Sequence, residues 1–249
     1  MNTYRTIVIF GANGAIGQAF VEHFLNQEHC LRCFACVRDE SSVNFPESIS
    51  NSPALKIVEW SIDSNEWVQE IQNDLLSLGL GVDCCINAVG ALSNDQIQPE
   101  KQLASCSIDN LRWSISQNVE PALCILKEIC PLLSKDRLSV MAHITAKVGS
   151  ITDNGLGGWY SYRGSKAMMN MLIKTTAIEQ ARRNKQAIVI SLHPGTVESE
   201  LSKPFSKNVK PEKLFSPQQS VSYLTDILNS LVPEDTGTFI SWSKERLQW

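Results

Sequence analysis

The 249-residue sequence predicts an α/β fold, a doubly wound parallel sheet of about seven strands with helices on both faces. Short apolar runs alternate with longer stretches of helical periodicity from end to end. The runs are rich in Val, Ile, Cys and Phe and apolar at successive positions, as strands covered on both faces must be. No repeat, low-complexity tract or linker interrupts the alternation, so residues 1–249 read as a single domain of right-handed crossovers. The expected strands are 6–10, 31–37, 55–60, 82–86, 138–144, 187–192 and 238–241; the expected helices are 15–26, 65–78, 108–133, 159–182 and 217–231.

The first strand runs straight into Gly11-Ala12-Asn13-Gly14-Ala15-Ile16-Gly17, which opens the first helix. Glycine there lets the backbone turn tightly and approach a pyrophosphate, while the helix start offers unbonded N–H groups at its positive end. Gly11, Asn13, Gly14, Ala15, Ile16 and Gly17 are therefore candidate contacts of a dinucleotide, and the domain reads as Rossmann-type. The second strand ends at Val37-Arg38, where a carboxylate would bind the ribose of NAD and a cation the 2′-phosphate of NADP. Val37 has no polar side chain and Arg38 is a cation, which favours NADP(H) over NAD(H); Asp39 could instead pair with Arg38.

The Ser-, Asn- and Pro-rich stretch 39–53 reads as a surface loop. Two further long connections, 90–107 and 195–216, follow strand ends on the side where open α/β sheets bind ligands. Pro204 and Pro211 discourage a continuous helix in the second of these, and Ser216-Pro217 suits the start of the last helix.

Eight cysteines stand out in the composition. Cys30, Cys33 and Cys36 have the spacing C-x-x-C-x-x-C of some metal and iron–sulfur loops. Their setting is an apolar strand, which sends Cys33 and Cys36 to opposite faces, so they read as core hydrophobes and no metal site is expected. With 22 Lys+Arg against 26 Asp+Glu, the net charge of −4 argues against nucleic-acid binding. No apolar run approaches the roughly 18–20 residues of a bilayer span, and the N-terminal segment lacks a signal-peptide pattern. Reduced thiols in such a chain suggest the cytoplasm.

Tyr162 and Lys166 stand four residues apart at the start of a helix, so their side chains leave one face. Tyrosine ordinarily titrates near pH 10. A neighbouring ammonium and an oxidised nicotinamide would favour the phenolate and lower that value into a useful range.

Together these residues resemble the short-chain dehydrogenase/reductase family along nearly the whole chain. Its motifs recur in order: the glycine turn, Asp63 after the third strand, Asn87-Ala88-Val89-Gly90 after the fourth, Asn118 in the long helix, Tyr162 with Lys166, and Pro194-Gly195-Thr196-Val197 after the sixth. Segments 147–151, 156–163 and 193–205 are similar to its C-factor-like branch in particular. The resemblance implies an NADP(H)-dependent oxidoreductase acting on a small, hydrophobic carbonyl or alcohol. Tyr162 would be general acid in reduction and general base in the reverse reaction. Lys166 would bind the nicotinamide ribose and lower the tyrosine pKa, and Asn118 would hold a water of the proton relay. Asp63 would contact adenine, Asn87 to Gly90 would lie along the cofactor, and Leu92, Trp159 and a lid within 195–216 would meet the substrate. Plainer alternatives stand beside these: Asn118 bridging a helix kink, Asp63 capping a helix, Asn87 closing a turn.

Two positions depart from the family pattern. Ala15 stands where a glycine is usual, and Ala146 where the catalytic serine is usual. Thr145 and Ser150 are the nearby hydroxyls, Thr145 only if its strand has already ended. The alternative function is a catalytically weak, dinucleotide-binding signalling or regulatory protein. Surplus apolar residues on the long helices, such as Leu123, Ile125, Leu126 and Ile129, suggest the homodimer or homotetramer common in the family.

Overall fold

Strand β1 (Thr6–Phe10) is an uninterrupted run of Thr, Ile, Val and Phe, buried at every position, and it takes the middle of the sheet. It pairs in parallel with β2 (Arg32–Val37) on one side and β4 (Cys84–Asn87) on the other. With β3 (Leu55–Glu59), β5 (Ser139–Ile144), β6 (Ala187–His193) and β9 (Phe239–Ser241), the order is β3-β2-β1-β4-β5-β6-β9, parallel throughout. The chain reverses its winding between β1 and β4, which opens a crevice at their C-terminal ends. The structure, a computed structural model, describes residues 2–206 and 209–249.

Helices α1 (Ala15–Leu25) and α7 (Pro217–Leu228) cover one face of the sheet. The other face is covered by α3 (Glu66–Leu78), α4 (Ile108–Ile129) and α5 (Tyr160–Arg183). Cys33 and Cys84 belong to the first core, Cys36 and Cys85 to the second, as the alternation of strand residues requires. Burial pushes all four thiols up, which keeps them protonated. Among the described residues no cluster of His, Cys, Asp and Glu is arranged to hold a metal, and no helix is long and apolar enough to cross a membrane.

Most element ends fall within a residue or two of those expected, although α7 stops at Leu228, three residues short of the expected end. Helix α4 stops at Ile129, and Cys130–Leu132 tightens into a 3₁₀ turn because Pro131 cannot extend the ladder. Segment 39–53 is not a plain loop. It holds a 3₁₀ turn at Glu40–Ser42, capped by Asp39, and a one-turn helix α2 (Glu47–Ser50) anchored by buried Ile49. It follows the C-terminal end of β2, so it too lies on the ligand side. Segment 195–216 contains the short parallel strands β7 (Thr196–Val197) and β8 (Leu214–Phe215), with α6 (Lys203–Ser206) between them. Lys207 and Asn208 of the expected lid lie outside the described residues.

Candidate active site

Two cavities along the C-terminal edge of the sheet share Ala88, Val89 and Gly90 and form the two ends of one groove. At the first end the chain leaves β1 through Gly11, at a left-handed φ of 74°. A methyl group on Gly17 would stand 2.1 Å from the Gly11 carbonyl oxygen, so α1 can pack on the turn only with glycine there. Gly14 caps α1 without a side-chain hydrogen bond, and no acidic residue stands in the first turn. The N–H groups of the helix start are thus left for an anion, and the cradle fits a pyrophosphate. Ala15 is the first residue of α1 and Ile16 the second, neither at a positive φ, so nothing in the backbone demands the usual glycine at Ala15.

Asn13 Nδ2 donates to Ser42 Oγ at 2.9 Å, tying segment 39–53 to the glycine turn. Arg38 lines this end of the groove and makes no ion pair among the described residues. Asp39 is engaged elsewhere: its carboxylate accepts from the Ser41 hydroxyl at 2.7 Å and the Ser41 N–H at 2.8 Å, which hold it below the usual carboxylate range. Asp63 also borders the groove, and its N–H donates to Ser61 Oγ at 3.1 Å; the cap of α3 is Asn65, not Asp63. Asn87 Oδ1 accepts from the Val89 N–H at 3.0 Å and closes the turn after β4, while its Nδ2 meets His143 Nδ1 at 3.0 Å. Ser61, Gln117 and Pro121, which sequence reasoning passed over, line this end as well. Pro121 inside α4 was the available signal, since a proline there leaves the carbonyl of Gln117 without its helical partner.

At the other end Tyr162 and Lys166 leave the first turns of α5, 6% and 3% exposed, with Lys166 Nζ 5.7 Å from the phenol ring centre. The helix start is held from outside. Glu100 accepts from the Ser161 N–H at 3.2 Å and from the Ser161 hydroxyl, and its main-chain carbonyl accepts from the Trp159 N–H at 2.5 Å. Trp159 sits at a left-handed φ of 53° with its ring edge-on to Tyr162, centres 6.1 Å apart. Burial dominates both titrating groups, raising the Tyr162 phenol above its ordinary value and pushing the Lys166 ammonium down to about 8. The expected lowering of the phenol draws on an oxidised nicotinamide as well as the ammonium; in the protein alone, desolvation sets the direction, upward.

Asn118 turns its amide into the fold: Oδ1 accepts from the Ala91 N–H at 3.1 Å, and Nδ2 donates to the Ala91 and Ser114 carbonyls at 3.0 Å each. It staples the loop after β4 to α4. A methyl on Gly90 would lie 3.0 Å from both Asn118 Oδ1 and Lys166 Nζ, so glycine is what lets these groups converge.

Strand β5 ends at Ile144, although the Thr145 N–H still bonds the Leu192 carbonyl at 2.8 Å. The Thr145 hydroxyl is buried, has no hydrogen-bond partner among the described residues, and belongs to a residue lining the cavity with Tyr162 and Lys166. Ala146 borders the same cavity without a polar side-chain atom. Ser150 is not among the lining residues; its Oγ accepts from the Asp153 N–H at 3.1 Å and closes the following turn. Leu92, Trp159 and the run Pro194, Gly195, Thr196 and Val197 complete the wall, with Gly195 at a φ of 80° against the Phe215 ring.

The short chain dehydrogenase family model matches residues 5–210. The chain belongs to the short-chain dehydrogenase/reductase family. It is 29% identical over 188 residues to 1-hydroxy-2-glutathionyl-2-methyl-3-butene dehydrogenase of Rhodococcus sp. (strain AD45), covering 76% of this chain and 77% of that one. To the C-signal protein of Myxococcus xanthus it is 28% identical over 127 residues, 51% of this chain and 71% of the other. The fold of NADPH-bound carbonyl reductase from chicken fatty liver superposes with a TM-score of 0.85 at 22% identity, covering 100% of this chain and 96% of that one. This short-chain dehydrogenase/reductase is accordingly an oxidoreductase. Its buried phenol can give a proton to an oxygen in the cavity, and the ammonium beside it can stabilise the phenolate that results.

Proposed function

We propose that this enzyme is an NADP(H)-dependent reductase of small hydrophobic carbonyl compounds, with alcohol oxidation as its reverse. One observation carries the reading: Tyr162, Lys166 and Thr145 line one apolar-walled cavity, continuous with a groove whose far end fits a dinucleotide, and the buried Thr145 hydroxyl has no partner among the described residues. The nicotinamide supplies the hydride. Tyr162 gives its proton to the carbonyl oxygen, Thr145 donates a hydrogen bond to that oxygen in place of the family serine, and Lys166 holds the nicotinamide ribose and stabilises the phenolate. Asn118 positions Gly90 against Lys166, and Pro194 to Val197 lie along the nicotinamide. Arg38, free of an ion pair among the described residues, favours the 2′-phosphate of NADP, as does the fold's likeness to an NADPH-bound carbonyl reductase.

A homodimer or homotetramer through the outer faces of α4 and α5 completes the proposal. Ile125, Leu126 and Ile129 are core residues, but Leu123, Met168, Met171 and Ile178 point outward, 47–66% exposed. Eight free thiols, with Cys33, Cys36, Cys84, Cys85 and Cys130 buried, fit a reducing, cytoplasmic setting. The signalling alternative draws on Ala146 and on the likeness to the C-signal protein; in the proposed reading Thr145 supplies the hydroxyl that position 146 lacks. The deciding experiment is Tyr162→Phe, assayed for NADPH oxidation against a panel of aldehydes and ketones. Turnover should fall by about 10³-fold or more while NADPH affinity, followed by cofactor fluorescence, stays the same. Equal turnover in mutant and wild type would reject the assignment.

A further inference from the structure

Buried side-chain polar atoms without a hydrogen-bond partner are rare, and each one asks for a reason. Among the described residues they are Trp60 Nε1 and a group of four: His143 Nε2, Thr145 Oγ1, Asn170 Nδ2 and His193 Nδ1. The four belong to β5, β6 and α5 and to the residue just past β5. Of these, only Thr145 and His193 line the substrate cavity. Ile144 pairs with Leu192 in the parallel register of β5 and β6, so Thr145 and His193 stand side by side one step further, on strand paths about 4.8 Å apart. Two neighbouring hydroxyls of the wall and its Lys147 are committed. Ser199 and Ser202 both turn their hydroxyls to the Val197 carbonyl, at 3.3 and 2.6 Å, and Lys147 pairs with Asp153 at 3.1 Å. Burial, and then the Lys147 ammonium, hold the His193 imidazole down to about 4, so the ring is neutral at physiological pH. A neutral imidazole offers one donor and one acceptor nitrogen.

We infer that His193 is a specificity-determining residue that selects carbonyl compounds carrying a second oxygen function one or two carbons from the reacting carbonyl. The inference rests on the proposed reductase activity. Two hydrogen-bonding side chains one strand spacing apart reach oxygens roughly 3–5 Å from each other, which is the separation in 1,2- and 1,3-oxygenated compounds. The reacting carbonyl lies against Thr145 and Tyr162, and the second oxygen against His193. A plain ketone leaves the buried ring nitrogen unpaired, and sites built to hydrogen-bond a substrate group discriminate strongly against analogues that lack it.

The test compares a hydroxyketone with the plain ketone of equal carbon number, in NADPH-oxidation assays on the full chain. Wild type should favour the hydroxyketone by about tenfold or more in kcat/KM, His193→Phe should bring the ratio near one, and His193→Asn, which restores a polar atom near the ring nitrogen's place, should recover part of it. Taking the ratio for each protein separates the site's preference from the substrates' intrinsic reactivity, and NADPH titration by fluorescence confirms that each variant is folded. Equal rates on both ketones in wild type, or a ratio unchanged in His193→Phe, would overturn the inference while leaving the reductase reading standing. Wild type that binds NADPH but reduces no carbonyl at all would sink that reading, and this inference with it.

Discussion

The two ends of the groove are made in different ways. The dinucleotide end is mostly backbone and mostly local, with the turn, the close approach of Gly17 to Gly11 and the open helix start all contained within 11–17. The catalytic end is side chains brought together from the loop after β4, α4, β5, α5, β6 and the 195–216 segment. At the first end the groove is bordered by the unbonded N–H groups of the helix start and by Arg38, which makes no ion pair among the described residues, and these need little preparation. At the second, burial shifts a tyrosine and a lysine away from their ordinary values and leaves a threonine and a histidine with unpartnered atoms. Side-chain substitutions should therefore be felt most at the catalytic end.

The sharpest contrast is between two hydroxyls five residues apart in sequence. Thr145→Val keeps the shape of the side chain and removes its donor, and should lower kcat by about 10²–10³-fold, the usual cost of one oxyanion donor. Thr145→Ser should retain most of the activity. Ser150→Ala, which loses only the turn contact with Asp153, should change kcat by less than about threefold. Steady-state assays of the three variants decide the matter. A large loss in Ser150→Ala with an active Thr145→Val would exchange their roles.

Lys166 gives the next effect, in two readouts of opposite sign. The proposed reduction uses its ammonium form, so with the group held down to about 8 the value of kcat/KM should fall as pH rises through about 8, close to tenfold per unit beyond it. Tyr162, pushed up by burial, remains a phenol over that range. Stability runs the other way. A lysine whose folded value lies below its unfolded value of 10.5 carries its full penalty below about 8 and loses it as pH climbs towards 10.5. Lys166→Met should thus be inactive yet more stable than wild type at pH 7, by up to about 3 kcal/mol, with the gain fading near pH 10.5. Urea midpoints at the two pH values would show it, and a variant less stable than wild type at pH 7 would contradict the burial argument.

The same division explains what could be read from the sequence. Strand alternation, the glycine turn and the Val37-Arg38 strand end are short-range patterns, and they are legible because period and spacing act within one element. Even the opposed faces of Cys33 and Cys36 follow from counting along a strand. The choice between Thr145 and Ser150 depends on where β5 ends and how the 147–149 turn folds back, which no spacing rule supplies. Segment 39–53 looked like a bystander because the bond from Asn13 to Ser42 spans 29 residues. Desolvation of Tyr162 is a property of everything packed around it, and a motif four residues long cannot report it.

The smallest effects belong to the dinucleotide end, where Arg38 and Asp39 test whether a charge is free for a phosphate. Arg38→Gln should weaken NADPH binding by about ten- to thirtyfold through loss of a charge-assisted hydrogen bond, and should leave NADH binding nearly unchanged. Asp39→Asn should alter NADPH affinity by less than about threefold. Its carboxylate is fully exposed and already takes the Ser41 N–H and hydroxyl, so solvent screens what field it exerts on Arg38. Had Asp39 been the partner of Arg38, removing its charge would release the arginine and tighten NADPH markedly. Titrating both cofactors against wild type and the two variants separates these cases: a tenfold gain in Asp39→Asn would mean the acid competes with the phosphate. A flat response there, beside a loss specific to NADPH in Arg38→Gln, would make Arg38 the cofactor discriminator without a restraining partner.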